Sequence, residues 1–188
     1  MKLLFTGASG FLGSNVRPLL EGMYGVKTVG LSPKDDYTID IAKEIPVLRE
    51  RYDIVLHVAG KAHSVPKTEA ERQVFFDVNL QGTKNLCTAL ERRRVPRAFI
   101  FISTVAVYGC AYGENITEDH PLDGDTPYAM SKRLAEEYLQ KWCYEHNVIL
   151  GIIRPSLIAG PNPPGNLGAM IHGIRSGKYL SIAGGQAR

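Results

Sequence analysis

The sequence predicts an α/β fold built on a doubly wound parallel sheet, and three observations predict it. Apolar runs of strand length alternate with longer segments of helical period, the pattern of successive βαβ units. The runs are nearly continuous in Val, Ile, Leu and Phe, as strands covered on both faces must be. The chain has 188 residues, 44% hydrophobic and 22% charged, enough to bury one sizeable core.

In chain order, the expected strands are residues 2–6, 27–31, 54–58, 98–103 and 149–154, each an apolar or β-branched run. The expected helices are 10–23, 43–51, 69–94 and 127–146. In the last of these Leu134, Tyr138 and Trp142 recur every four residues, while Lys132, Arg133, Glu136 and Glu137 fall at other positions. Such spacing describes an amphipathic helix laid on the sheet. After Arg154 the composition shifts, and Gly160-Pro161-Asn162-Pro163-Pro164-Gly165 reads as a loop leaving the sheet. A short helix at 167–176 and a strand at 179–183 are expected beyond it. The expected division is a first domain of residues 1–154 and a small, incomplete lobe of residues 155–188.

Charge and composition exclude several classes of function. Lys and Arg number 22 against 19 acidic residues, a net charge of +3, and they are scattered rather than gathered into a patch with aromatics between them. A nucleic-acid binder is not expected. The start, Met1-Lys2-Leu3-Leu4-Phe5, is too briefly apolar for a signal sequence, and no run of ~18 apolar residues occurs, so a cytoplasmic protein without a membrane partner is expected. The three cysteines, Cys87, Cys110 and Cys143, have neither CxxC spacing nor a partner set, and each reads as a small side chain in or near the core. His57 lies in a strand and His63 in the following loop, with no second ligand at metal spacing, so no metal site is expected.

Three constellations carry chemistry. Thr6-Gly7-Ala8-Ser9-Gly10-Phe11-Leu12-Gly13 follows the first strand and opens the first helix. Glycines there permit a tight turn and let backbone N–H groups approach a pyrophosphate on the positive end of the helix dipole. Tyr128 and Lys132 stand four apart and share one face of a helix. A nearby ammonium favours the phenolate, as a general acid/base acting on a carbinol or carbonyl requires. Ser103 and Thr104 end a buried strand, where ligands of open α/β sheets bind.

Taken with these motifs, Asp53-Ile54-Val55-Leu56-His57-Val58-Ala59-Gly60, Asn79-Leu80-Gln81-Gly82-Thr83-Lys84-Asn85 and Arg154-Pro155-Ser156-Leu157-Ile158-Ala159-Gly160-Pro161 complete a resemblance to the extended short-chain dehydrogenases/reductases, the nucleotide-sugar epimerase/dehydratase group. The resemblance covers nearly the whole chain and implies a Rossmann-type fold. It implies Tyr128 as catalytic acid/base, Lys132 as its tuner and ribose ligand, and Thr104 at the catalytic Ser/Thr position. Cofactor contacts are implied for Gly7, Ser9, Gly10, Phe11, Leu12, Gly13, Asp40, Ile41, Val58, Ala59, Gly60 and Ser103, with Pro155 and Leu157 along the nicotinamide and Asn79 bracing the active-site helix. Val105, Asn166 and Leu167 would meet substrate, the latter two at its diphosphate.

The sequence departs from that pattern where the second strand ends. An acidic residue commonly stands there to accept from the ribose 2′-hydroxyl, and here the strand runs into Ser32. With Lys34 in reach of a 2′-phosphate, the expected cofactor is NADP or NAD, leaning to NADP, although Asp35 or Asp36 can fold in to meet a ribose. The expected activity is an NAD(P)-dependent epimerase acting on a nucleotide-linked sugar through a keto-sugar. The alternatives are an NADPH-dependent 4-reductase of surface-polysaccharide synthesis and a non-catalytic NAD(P) sensor. Dehydration is disfavoured, because dehydratases of the group carry an acidic pair where Val105 and Ala106 follow Thr104. A homodimer is left open as a further partner.

Overall fold

The computed structural model describes residues 1–62, 64–110, 112–163 and 165–178. It divides into two compact units, Met1–Leu157 and Ile158–Arg188. The first carries six strands, β1 (Lys2–Thr6), β2 (Gly25–Gly30), β3 (Tyr37–Thr38), β4 (Ile54–His57), β5 (Ala98–Ile102) and β6 (Ile149–Ile153). All pair in parallel in the order β3-β2-β1-β4-β5-β6. The order reverses between β1 and β4, and at such a switch point the strand ends splay apart and leave a crevice for ligands.

Helices α1 (Phe11–Glu21), α2 (Glu69–Phe76), α3 (Gly82–Arg93) and α4 (Pro127–Glu145) make the crossovers. The core lies where Leu4, Val29, Val55, Phe99 and Phe101 of the sheet meet Leu86 and Leu90 of α3 and Ala135, Leu139 and Trp142 of α4. Complete burial of such side chains contributes about 1.5–3 kcal/mol each. Cys87 and Cys143 pack into this cluster, where burial raises both thiols above their usual range. Cys110 differs from the expected core position: it is exposed beyond the left-handed Gly109, with its Sγ 3.2 Å from His120 Nε2.

The expected helix at 43–51 does not form. Asp40 O accepts from the Lys43 and Glu44 N–H groups, both at 3.0 Å, making a single turn. Pro46 then withholds a donor and pushes Ile45 out of the helical region, so the chain runs on without regular structure. Leu48 and Tyr52 enter the core along it, and the Arg49 N–H donates to the Tyr37 hydroxyl at 3.1 Å. The long helix expected over 69–94 is interrupted by a π-helical turn, Asp77–Gln81, between α2 and α3. On α4 the buried stripe differs from the expected one. Leu134 and Tyr138 are only half-buried, whereas Ser131, Lys132, Ala135, Glu136 and Leu139 are buried. Two charged side chains therefore face inward.

The second unit carries α5 (Gly165–Arg175), which a left-handed Gly177 follows. The strand expected at 179–183 lies outside the described residues, as does His63. Among the described residues no helix is long and apolar enough to cross a membrane.

Candidate active site

The turn from β1 into α1 is built on missing Cβ atoms. Gly7 has φ +72°, and a Cβ there would lie 2.5 Å from Ala59 N. At Gly13 it would lie 2.1 Å from Gly7 O. These two glycines let the chain pack on itself. Gly10 is different: its φ of −73° and ψ of 175° suit any residue, and a Cβ would approach only Gly7 O, at 3.3 Å. What Gly10 keeps open is space outside the chain. No side chain caps α1 and no acid stands in its first turn, so the helix presents its first N–H groups and positive dipole end to that space. Ser9 beside it is exposed, and Phe11 and Leu12 are half-buried.

Behind this turn runs a buried polar chain. The Ala59 N–H donates to Thr6 Oγ1 at 3.1 Å, and Thr6 Oγ1 lies 2.6 Å from His57 Nδ1. His57 Nε2 lies 2.9 Å from Thr83 Oγ1, which itself donates to Asn79 O at 2.6 Å. Because the Thr83 proton is committed, His57 donates from Nε2 and accepts from Thr6 at Nδ1. Burial, aided by the charge on Lys132, brings the imidazole down from 6.5 to about 3. The unfolded chain thus binds a proton below about 6.5 that the folded chain refuses until about 3. Stability is expected to fall as pH drops through that window. Urea midpoints measured from pH 7 to 4 should decline less steeply in His57→Gln than in the wild type.

Asn79 carries the chain onward to α4. Its Oδ1 accepts from Lys61 N at 2.8 Å, and its Nδ2 donates to Lys61 O at 3.1 Å and to Ser131 Oγ at 2.9 Å. The π-helical turn places this side chain inward; such turns recur at functional sites. Val58, Ala59 and the exposed Gly60 leave β4 immediately beside it, and a Cβ on Gly60 would stand 3.0 Å from Asn79 Oδ1 and 3.8 Å from Lys132 Nζ.

Tyr128 sits in the first turn of α4, which Pro127 opens and Thr126 caps by accepting from Ala129 N at 3.1 Å. Its ring lies 6.3 Å from that of Phe75. Thr104, beyond β5, caps the 3₁₀ turn Val105–Tyr108 by accepting from Ala106 N at 3.2 Å. Burial holds the Tyr128 phenol above its usual 10.0, and a hydrogen bond from Thr104 works in the opposite direction. From the sequence, Lys132 was expected to lower the phenol. In the structure Lys132 Nζ instead donates to Ile102 O at 2.6 Å and lies 3.9 Å from the centre of the Phe101 ring. Burial brings this ammonium down to about 7, against a smaller upward pull from Glu136.

Glu136 and Arg154 were not singled out as site residues in the sequence. Glu136 accepts from Ser103 Oγ and pairs with Arg154 Nη2 at 2.6 Å, at side-chain exposures of 1% and 13%. Arg154 Nη1 also donates to the Tyr108 hydroxyl at 2.9 Å and to Glu118 O at 3.0 Å. The spacing of Glu136 four residues past Lys132 was the available signal, since it puts both on one face.

The remaining expected contacts lie in other segments of the chain. Asp40 turns its Oδ1 to the Ala42 N–H at 3.1 Å, and Ile41 O accepts from Asn85 Nδ2 at 2.7 Å. Ser32 Oγ accepts from Lys34 N at 3.2 Å, with the Lys34 side chain exposed. Pro155 O receives the Val105 N–H at 3.2 Å, and Leu157 is exposed. Asn166 and Leu167 belong to α5 of the second unit.

Residues 3–188 match the NAD dependent epimerase/dehydratase family. The chain belongs to that family. It is 31% identical, over 97% of its length, to the N-acetyl-alpha-D-glucosaminyl-diphospho-ditrans,octacis-undecaprenol 4-epimerase of Escherichia coli O157:H7, of which it spans 56%. The UDP-glucose 4-epimerase of Thermus thermophilus, in complex with NAD, is similar with a TM-score of 0.76 and 28% identity, over 92% of this chain and 61% of that one. RMD from Pseudomonas aeruginosa, complexed with NADPH, has a TM-score of 0.71 and 29% identity, over 85% and 55%. The chain thus spans little more than half the length of these relatives.

Among the described residues only Gly7 O comes within 4 Å of where a Cβ on Gly10 would stand, so the chain leaves room there for an anion such as a pyrophosphate at the α1 N-terminus. Gly10→Val is expected to leave the thermal melt nearly unchanged. A branched side chain in the path of a phosphate costs on the order of 1–3 kcal/mol, so NAD(P) affinity measured by titration should fall about tenfold or more. Unchanged affinity in the folded variant would make the loop purely structural.

Proposed function

We propose that this chain carries the cofactor site and the acid/base of a 4-epimerase acting on a sugar linked through diphosphate to a nucleotide, with a keto-sugar as intermediate. The observation that carries the reading is the placement of Tyr128 in the first turn of α4, one helical turn before the buried Lys132 on the same face, with Thr104 acting to lower the phenol. When bound, the nicotinamide ring supplies hydride acceptance and return. Tyr128, as phenolate, takes the proton of the sugar hydroxyl as that carbon is oxidised, and gives it back to the carbonyl oxygen when the carbon is reduced from its other face. Thr104 stabilises the phenolate by donating to it. Lys132 stands on the same helix face, its ammonium held well below the usual lysine range by burial. Asn79 fixes the start of α4 through Ser131, whose Oγ also donates to Tyr128 O at 2.8 Å.

Support for epimerisation comes from the E. coli and T. thermophilus relatives, both 4-epimerases by name, and from the absence of acids at Val105 and Ala106. A 4-reductase would use the same residues, and Ser32 at the end of β2 favours it as the second reading. Incubation with UDP-sugars and NAD(P)(H), following both sugar configuration and absorbance of the reduced nicotinamide, tests the assignment. Interconversion without net consumption is expected of the epimerase. Stoichiometric loss of reduced cofactor indicates the reductase, and neither change indicates a sensor.

A further inference from the structure

Part of the segment joining the 3₁₀ turn Val105–Tyr108 to α4 is wedged between the two. Gly124 is buried, and its N–H donates to Val107 O at 3.0 Å. A Cβ on Gly124 would stand 2.4 Å from Ala106 O and 2.7 Å from Ala129 Cβ, so the backbone here touches the 3₁₀ turn on one side and the first turn of α4 on the other. The approach is as close from Gly109, which follows the turn in a left-handed conformation: a Cβ there would lie 2.8 Å from Asp123 C. Backbone meets backbone at both glycines, which leaves the wedge no slack.

A side chain of α4 holds the wedge from outside. Arg133 Nη1 donates to Leu122 O at 2.6 Å. The ordinary partner of a helical arginine is an acid one turn away, and Glu137 stands there, but Arg133 Nε is 3.7 Å from Glu137 Oε1. That Nε is buried and has no hydrogen-bond partner among the described residues. A buried donor left in this way marks an orientation imposed by another contact, and Leu122 O is that contact. The two elements on either side carry the reacting groups: Thr104 caps the 3₁₀ turn, and Tyr128 directly precedes Ala129. The place of Leu122–Gly124 therefore fixes how far the Thr104 hydroxyl stands from the phenol, and reaction rates respond to displacements of about 1 Å.

We propose that Arg133 is a positioning residue for the proton transfer, holding Leu122–Gly124 in place so that Thr104 and Tyr128 keep their separation. The inference rests on the reading of Tyr128 as the acid/base. Arg133 touches neither group and acts only through the segment it pins.

NMR titration of the chain carrying isotope-labelled tyrosine, with the Tyr128 signal assigned by its loss in Tyr128→Phe, reads the phenol directly and needs no turnover. Arg133→Met keeps the apolar stem and loses the donors, and the Tyr128 midpoint is expected to rise by about one pH unit, the weight of a weakened hydrogen bond to an ionised group. Arg133→Lys keeps a donor with a shorter reach, so a smaller rise in the same direction is expected, and it carries the comparison if Arg133→Met does not fold. Glu137→Gln should leave the midpoint where it is. Interconversion of UDP-sugars should fall about tenfold or more in Arg133→Met, with NAD(P) affinity unchanged. A Tyr128 midpoint that stays put in the folded Arg133 variants, or rises equally in Glu137→Gln, would overturn the role of Arg133 and leave Tyr128 as the acid/base. Full turnover in Tyr128→Phe would overturn the acid/base reading, whatever the midpoints show.

Discussion

Tyr128→Phe is expected to lower turnover by at least about a hundredfold while NAD(P) affinity stays within about threefold, since general acid/base groups contribute ~10²–10⁴-fold and the variant removes only the phenolic oxygen. The ring keeps its contact with Phe75, at 6.3 Å between centres. Thr104 keeps its acceptor role toward Ala106 N, at 3.2 Å, so the 3₁₀ turn is not disturbed. Binding and chemistry should separate cleanly. Turnover above about a hundredth of wild type, with the melt unchanged, would mean that another group moves the proton. A parallel loss of cofactor affinity would mean that the hydroxyl matters to binding rather than to catalysis.

The parts of the fold legible in the sequence were those where backbone geometry dictates residue type. β1 spans Lys2–Thr6 as expected, because a doubly covered strand must be apolar and Gly7 must follow it. The glycine turn was legible for the same reason: at Gly13 a Cβ would stand 2.1 Å from a carbonyl oxygen. On α4 the stripe read from Leu134, Tyr138 and Trp142 set Lys132 and Glu136 at other positions, and both are buried in the structure. Charged side chains go inward when partners await them, and the partners here lie far along the chain: Ile102 O is 30 residues from Lys132, and Ser103 is 33 from Glu136. His57 was read as a buried strand residue, but its hydroxyl partners Thr6 and Thr83 lie 51 and 26 residues away and carry no local signature. Two acids beyond β2 were left open in the sequence, and the structure separates them: Asp35 Oδ2 accepts from Ser32 N at 3.0 Å, whereas Asp36 Oδ2 accepts from Thr28 N at 2.9 Å. Periodicity describes faces; it does not describe which buried polar atoms find each other.

That distinction gives Glu136 its weight. Glu136→Ala is expected to destabilise the protein by about 3–5 kcal/mol, because removing one member of a buried ion pair leaves the other uncompensated. Arg154 would lose its 2.6 Å partner and keep only Tyr108 Oη and Glu118 O, neither of them charged. For a chain of this size the loss corresponds to a fall in Tm of about 6–20 °C. Ser103 would lose its acceptor as well, and Ser103 directly precedes Thr104. Turnover is therefore expected to fall even at temperatures where the variant remains folded, since Glu136 ties together the end of β5, the end of β6 and the helix that carries Tyr128 and Lys132. Replacing both charges, as in Glu136→Leu with Arg154→Met, should recover most of the stability, because paired charges in a protein interior contribute little net energy over apolar packing. It should not recover turnover to the same extent, because Ser103 still lacks its acceptor and Tyr108 its donor. Chemical denaturation and kcat measured on the three proteins separate the two effects; a single-variant loss below about 1 kcal/mol would show that the pair is dispensable to the fold.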